Sequence, residues 1–173
     1  MRLGFQSVTV AAASSGAVGL LSACTPPPDL GTDGLVLLPG FTARVVAVTG
    51  NPVAGTGYTW HAAPDGGATF PTADGGWIYV SNSEVPINGG ASAIRFDAGG
   101  TITDAYRILS GTTVNCAGGA TSSGTWLSCE EVGRGRVFEC DPTGATTAIE
   151  RPALGRFKHE AAAEDPATGT LYL

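Results

Sequence analysis

One spacing constrains the fold of this 173-residue chain more than any other feature. An aromatic-led strand signal at Trp77 recurs at Trp126, and an apolar strand signal follows at Leu171. A hairpin turn at Asp97-Ala98-Gly99-Gly100 recurs at Asp141-Pro142-Thr143-Gly144, and Asp165-Pro166-Ala167-Thr168-Gly169 reads as a third. The offsets are about 45 to 49 residues, near the period of a four-stranded propeller blade. One such sheet cannot bury both faces alone, whereas sheets stacked radially bury one another. The expected fold class is all-β, an incomplete β-propeller of about three blades. A small β-sandwich of similar strand count is the alternative. Rings close with about four to eight blades, and the sequence stops inside a strand signal at Leu171-Tyr172-Leu173. Residues 35–173 therefore read as the N-terminal part of a propeller domain that continues further.

Individual strands are expected at 41–49, 76–83, 93–97, 101–109, 125–132, 136–140 and 145–150, where β-branched and aromatic residues lie between turn residues. Pro64-Asp65-Gly66-Gly67 reads as a turn, and Gly118-Gly119 as loop flexibility. The composition agrees: 26 glycines with only 14% charged residues favour turns and short strands over long helices. The net charge of -6 lacks the clustered Lys/Arg of a nucleic-acid footprint, so no nucleic-acid partner is expected. An acidic protein that handles an anion needs a local positive centre, which bound metal ions can supply.

Residues 1–24 read as a targeting segment rather than as part of the fold. Arg2 is a minimal positive region, and 8–21 is weakly apolar. Leu21-Ser22-Ala23-Cys24 resembles a lipobox, in which Cys24 would become the lipidated first residue of the mature chain. An ordinary secretory signal cleaved near Ala23 is the alternative. Residues 25–34, opening Thr25-Pro26-Pro27-Pro28-Asp29, form a Pro-rich linker that would act as a tether. Either way the domain is exported, as a cell-envelope lipoprotein or a secreted or periplasmic protein, with a lipid on Cys24 as its one link to a membrane. Cys116, Cys129 and Cys140 then remain, and the arithmetic expected in an exported protein is one disulfide plus one free or ligating thiol.

The chemistry concentrates in Asn115 to Glu131, NCAGGATSSGTWLSCEE, read as a loop running into a strand. That strand ends in Cys129, Glu130 and Glu131. Such groups near an interior need water or a cation, because an unpaired charge there costs several kcal/mol. Alternation places Leu127, Cys129 and Glu131 on one face, with Cys129 and Glu131 roughly 6 to 7 Å apart at Cα, close enough to share an ion. Glu130 would join through a bulge or hold a second ion. Thiolate with carboxylates points to iron or another transition metal, and surplus carboxylates suit calcium. Glu84 and Glu160 stand at comparable places in the neighbouring repeats, and equivalent positions of successive blades converge on the propeller axis. The candidate metal ligands are thus Glu84, Cys129, Glu130, Glu131 and Glu160, and no catalytic side chain is assigned. Against this stand a solvated strand end with Cys129 in a disulfide, and a helix over the Ala-rich run after Lys158.

His159 could be a ligand, a general acid or a core-edge residue, whereas His61 beside Trp60 reads as structural. With two histidines, neither a three-His zinc site nor an His-x-x-x-His motif is available. Ser122, Ser123 and Ser128 lack the Gly-x-Ser-x-Gly elbow of a serine hydrolase.

Taken together, NCAGG, GTWLSCEE, FECDPTG and ALGRFKHEAAAEDPATGTLYL resemble the PhoX-type alkaline phosphatases, from about Trp77 to the end of the chain. The resemblance implies an exported six-bladed propeller with iron and calcium at one end of its channel. It implies hydrolysis of small phosphate monoesters, by a protein expected to be monomeric at full length. It also implies that a cysteine is an iron ligand, which position by position falls on Cys129. Glu130 and Glu131 match the acidic pair after it, Glu160 the glutamate of the His-Glu pair, and Asn82 with Glu84 the earlier Asn-His-Glu segment. Ser83 stands where that segment usually has His, and Ser122-Ser123 where the loop usually reads Pro-Trp. The rival function is a non-catalytic, surface-tethered propeller that binds a ligand or partner protein.

Overall fold

The computed structural model describes residues 34–173 and the backbone of Ala11–Ala12. The leader, including Cys24, and all of the linker except Gly34 lie outside the described residues, the Ala11–Ala12 backbone apart. The described residues divide into two compact units, 34–46 with Ala11–Ala12 and 47–173. In the smaller unit β1 (Ala11–Ala12) pairs with β2 (Phe41–Thr42). The strand expected over 41–49 shrinks to its first two residues. Val45 and Val48 are exposed, so β-branching there has no buried face to pack.

The larger unit holds the repeats. The first sheet is a meander of β3 (Pro64–Pro71), β4 (Trp77–Ser83), β5 (Gly89–Phe96) and β6 (Ile102–Thr112). The second is a meander of β7 (Asn115–Ala120), β8 (Trp126–Glu130), β9 (Val137–Cys140) and β10 (Ile149–Glu150). A 3-10 turn at Pro152–Leu154 leads to the antiparallel pair β11 (Ala163–Asp165) and β12 (Thr170–Tyr172). All sheets are antiparallel, none is closed, and no α-helix occurs among the described residues. The first strands of successive units, β3, β7 and β11, neighbour one another. This is the order an incomplete propeller requires. The Ala-rich run that could have been helical is extended and leads into β11.

Packing follows from alternation along β8. Trp126 joins Phe70, Ile78, Val80, Ala91, Ala93, Leu109, Phe138 and Cys140 in a core between the first two sheets. Leu127 and Cys129 face the other way, into a second cluster with Val137 and Ala162, against which Leu171 packs. Burying one such aliphatic or aromatic side chain contributes about 1.5–3 kcal/mol.

Two strands run against the sequence reading. Pro64–Pro71 and Asn115–Ala120 are strands rather than turn and loop. Their glycines mark close backbone approach instead of flexibility. A Cβ on Gly67 would lie 2.2 Å from the Val80 carbonyl oxygen, and one on Gly118 would lie 1.8 Å from that of Leu127. A Cβ on Gly119 would meet the Ala162 carbonyl oxygen at 2.1 Å, which lets the third unit close on β7. The expected disulfide is absent: Cys116, Cys129 and Cys140 are three free, buried thiols. The alternation that built the two cores sends Cys129 and Cys140 into different ones.

Candidate metal centre

In an antiparallel meander the first strand begins where the second ends. At that end of the first sheet stand Asp65, on β3, and Glu84, directly after β4. At the same end of the second sheet stand Cys116, on β7, and Glu131, directly after β8. The backbone repeats the device. Ala63 and Val114 each precede the first-strand donor by two residues, and each takes a positive φ, 45° and 47°. The Ala63 carbonyl accepts from the Glu84 N–H at 2.9 Å, and the Val114 carbonyl accepts from the Glu131 N–H at 2.8 Å. A β-branched residue in this region is a true outlier, and such strain persists only where the surroundings hold it. Two strained corners therefore aim two donor pairs at one place.

There the thiol of Cys116 is shared between two triads. Ligand atoms of Asp65, Glu84 and Cys116 lie within 4.8 Å of one another, as do those of Cys116, Glu131 and Glu160. The Cys116 Sγ–H lies 3.4 Å from Glu160 Oε1 and 3.6 Å from Asp65 Oδ2. Glu160 is tied in by its backbone, whose carbonyl accepts from the Ala117 N–H at 3.0 Å. Burial, then the Asp65 charge and the hydrogen bond to Glu160, push the Cys116 thiol well above its ordinary range. Lys158 holds the Glu131 carboxyl below its usual range through an ammonium contact at 2.7 Å. Four carboxylates and a thiol, with the exposed Lys158 ammonium on Glu131, form a donor set suited to cations. A thiolate can exist among these carboxylates only if a metal replaces its proton.

The structure places Glu84, Glu131 and Glu160 around Cys116. Glu160 precedes the first strand of its unit, whereas Glu84 and Glu131 follow second strands, so it is not their counterpart in the repeat. The other two expected ligands lie elsewhere. Cys129 is fully buried in the apolar cluster beside Leu127, Val137 and Ala162, and burial raises its thiol to about 12. Glu130 points away and is consumed by Arg136, which donates from Nε at 2.8 Å, Nη2 at 2.9 Å and its backbone N–H at 2.9 Å. The Thr113 N–H adds a fourth bond at 3.0 Å. Burial alone would raise the Glu130 pKa, but these donors outweigh it and hold it low. Asp65 and Cys116 were missed by the sequence reading. The signal that marks both is a first-strand donor followed closely by a pair of glycines, Asp65-Gly66-Gly67 and Cys116-Ala117-Gly118-Gly119.

Ser83, Ser122 and His61 are structural in their contacts, whereas both ring nitrogens of the buried His159 are without a hydrogen-bond partner among the described residues. Ser83 is buried, and its hydroxyl donates to the Ala62 carbonyl at 2.8 Å. The Ser122 hydroxyl donates to Glu164 at 2.8 Å and links the β7–β8 turn to β11. The His159 ring is fully buried against Phe157, with ring centroids 3.9 Å apart. His61 Nε2–H donates to the Asn82 carbonyl at 2.9 Å, and its Nδ1 accepts from the Ser92 hydroxyl at 2.8 Å.

No curated protein matches the chain, and no solved structure does. Residues 79–137, which carry Glu84, Cys116 and Glu131, match the family model described as Alkaline phosphatase PhoX, so this part of the chain is similar to that family.

Proposed function

We propose that the chain is part of an exported, metal-dependent phosphatase that hydrolyses small phosphate monoesters. The convergence of two carboxylate–thiol triads on Cys116 carries the reading, and the similarity of residues 79–137 to the phosphatase family supports it. The chain has a net charge of -6, so a phosphate dianion approaching these carboxylates meets repulsion unless cations neutralise them. Iron belongs beside the Cys116 sulfur, and calcium beside the carboxylates of Asp65, Glu84, Glu131 and Glu160. Bound there, the ions would neutralise the ester oxygens and stabilise charge that develops on phosphorus. The chain's own residues fix the donors: the corners at Ala63 and Val114 orient Glu84 and Glu131, and the β7 backbone presents the thiol. Glu130 and Cys129 serve the fold beneath this centre.

Metal analysis of the full-length protein, with p-nitrophenyl phosphate hydrolysis before and after chelation, tests the proposal. The expected result is bound iron and calcium, with hydrolysis that disappears on chelation and returns with the ions. Hydrolysis indifferent to chelation, or an ion-free inert protein, overturns it.

A further inference from the structure

The thiol that joins the two triads does not sit on a regular strand. In the β7–β8 ladder Asn115 faces Glu130 and Gly118 faces Ser128, so Cys116 and Ala117 together oppose Cys129 alone. This is a bulge, a device that re-aims a side chain and takes backbone groups out of the ladder. The carbonyls of Cys116 and Ala117 are taken up by one side chain from the neighbouring sheet. Asn82 Nδ2 donates to Cys116 O at 3.1 Å and to Ala117 O at 2.8 Å. Its Oδ1 accepts from Trp126 Nε1–H at 2.9 Å and from the Ser128 hydroxyl at 2.8 Å. The Ser128 oxygen accepts in turn from Asn115 Nδ2 at 2.9 Å, which fixes the direction of the hydroxyl proton.

The amide orientation is unambiguous. Indole N–H only donates and a carbonyl only accepts, so a flipped amide would lose the bonds to Trp126 and to both carbonyls. Asn82 is fully buried and all four of its bonding directions are filled. Its own backbone carbonyl is gripped by His61.

We propose that Asn82 is a positioning residue: its amide clamps the β7 bulge and thereby sets where the Cys116 sulfur meets the two carboxylate triads. The inference rests on the metal-centre reading above and adds to it a residue that touches no ion. A carboxylate in its place would keep the acceptor toward Trp126 and Ser128 but would turn an oxygen on the two bulge carbonyls. The bulge would move, and the sulfur with it.

The test uses the full-length, metal-free protein titrated with Co²⁺, following the near-ultraviolet thiolate-to-cobalt charge-transfer band. This band reports sulfur ligation and not folding. The wild type shows the band and Cys116→Ser lacks it. Asn82→Asp, checked for cooperative unfolding, is expected to bind Co²⁺ about 10- to 100-fold more weakly, with a diminished band. Wild-type affinity and band in Asn82→Asp overturn the positioning role and leave the centre standing. A band absent from the wild type, or retained in Cys116→Ser, overturns both. If Asn82→Asp does not fold, Ser128→Ala decides, since it removes one hydroxyl from the amide oxygen. It is expected to weaken Co²⁺ roughly two- to fivefold, about one hydrogen bond's worth, and unchanged affinity there overturns the proposal.

Discussion

The joint between the first and second sheets and the joint between the second sheet and the third unit stand at equivalent places with opposite chemistry. Next to last before the glutamate that ends each second strand, the first sheet has Asn82 and the second has Cys129. Asn82 reaches across to the next first strand and bonds its bulge through an amide. Cys129 packs toward the next unit with Leu127, Val137 and Ala162 and offers only apolar contact. An apolar joint sets proximity but tolerates small shifts, whereas an amide with four filled bonds fixes a backbone in register. The polar joint lies beneath the thiol shared by both triads, and the apolar joint lies where only Glu160 must be brought near. The buried amide is placed where a fraction of an ångström matters for ligation.

The largest effect expected from breaking this comparison is at the polar joint. Asn82→Ala strands the Trp126 N–H, the Ser128 hydroxyl and two carbonyls, and should cost about 4 kcal/mol in a urea melt. Next comes pH. His61, which grips the Asn82 carbonyl, has its pKa lowered from 6.5 to about 4, by burial first and by the nearby Arg107 charge second. The unfolded chain binds this proton more readily than the folded one between those values. His61 therefore costs nothing above pH 6.5, and stability is lost as pH falls from 6.5 toward about 4. The loss from this group amounts to about 3 kcal/mol. Melts across this range should show a steeper slope for wild type than for His61→Gln, and equal slopes would remove His61 from the joint.

A smaller effect belongs to the apolar joint: Cys129→Ala should cost about 1 kcal/mol and leave Co²⁺ affinity unchanged. A cost equal to that of Asn82→Ala would erase the distinction between the joints. The smallest effect is at the exposed rim, where Lys158→Ala should leave the urea midpoint nearly unchanged. It should tighten Co²⁺ binding, because an ammonium that competes for Glu131 is gone. Isothermal titration reads that direction.

The repeat was legible because aromatic-led strands and Asp-x-x-Gly turns survive in sequence as local patterns. The turns form as expected: the Asp97 carboxylate accepts from the Gly99 and Thr101 N–H groups, and Asp141 from those of Thr143 and Thr146. The first strands were not legible. Proline and glycine in Pro64–Pro71 and glycine in Asn115–Ala120 oppose strand propensity, and only the close approach of neighbouring backbones explains them. Glu84 and Glu131 were legible because each follows a readable second strand. The thiol was not, since choosing Cys116 over Cys129 requires knowing that the donor lies on a first strand and at a bulge. Alternation separated Glu130 from Glu131 by face, but the bidentate grip of Arg136 on Glu130 is announced by no local pattern.

X-ray absorption at the iron edge of the iron-loaded full-length protein, in wild type, Cys116→Ser and Cys129→Ser, tests the assignment of the centre most directly. A sulfur shell present in wild type, lost in Cys116→Ser and kept in Cys129→Ser is the result this arrangement of donors predicts. A shell that survives Cys116→Ser, or that vanishes with Cys129→Ser, would contradict it.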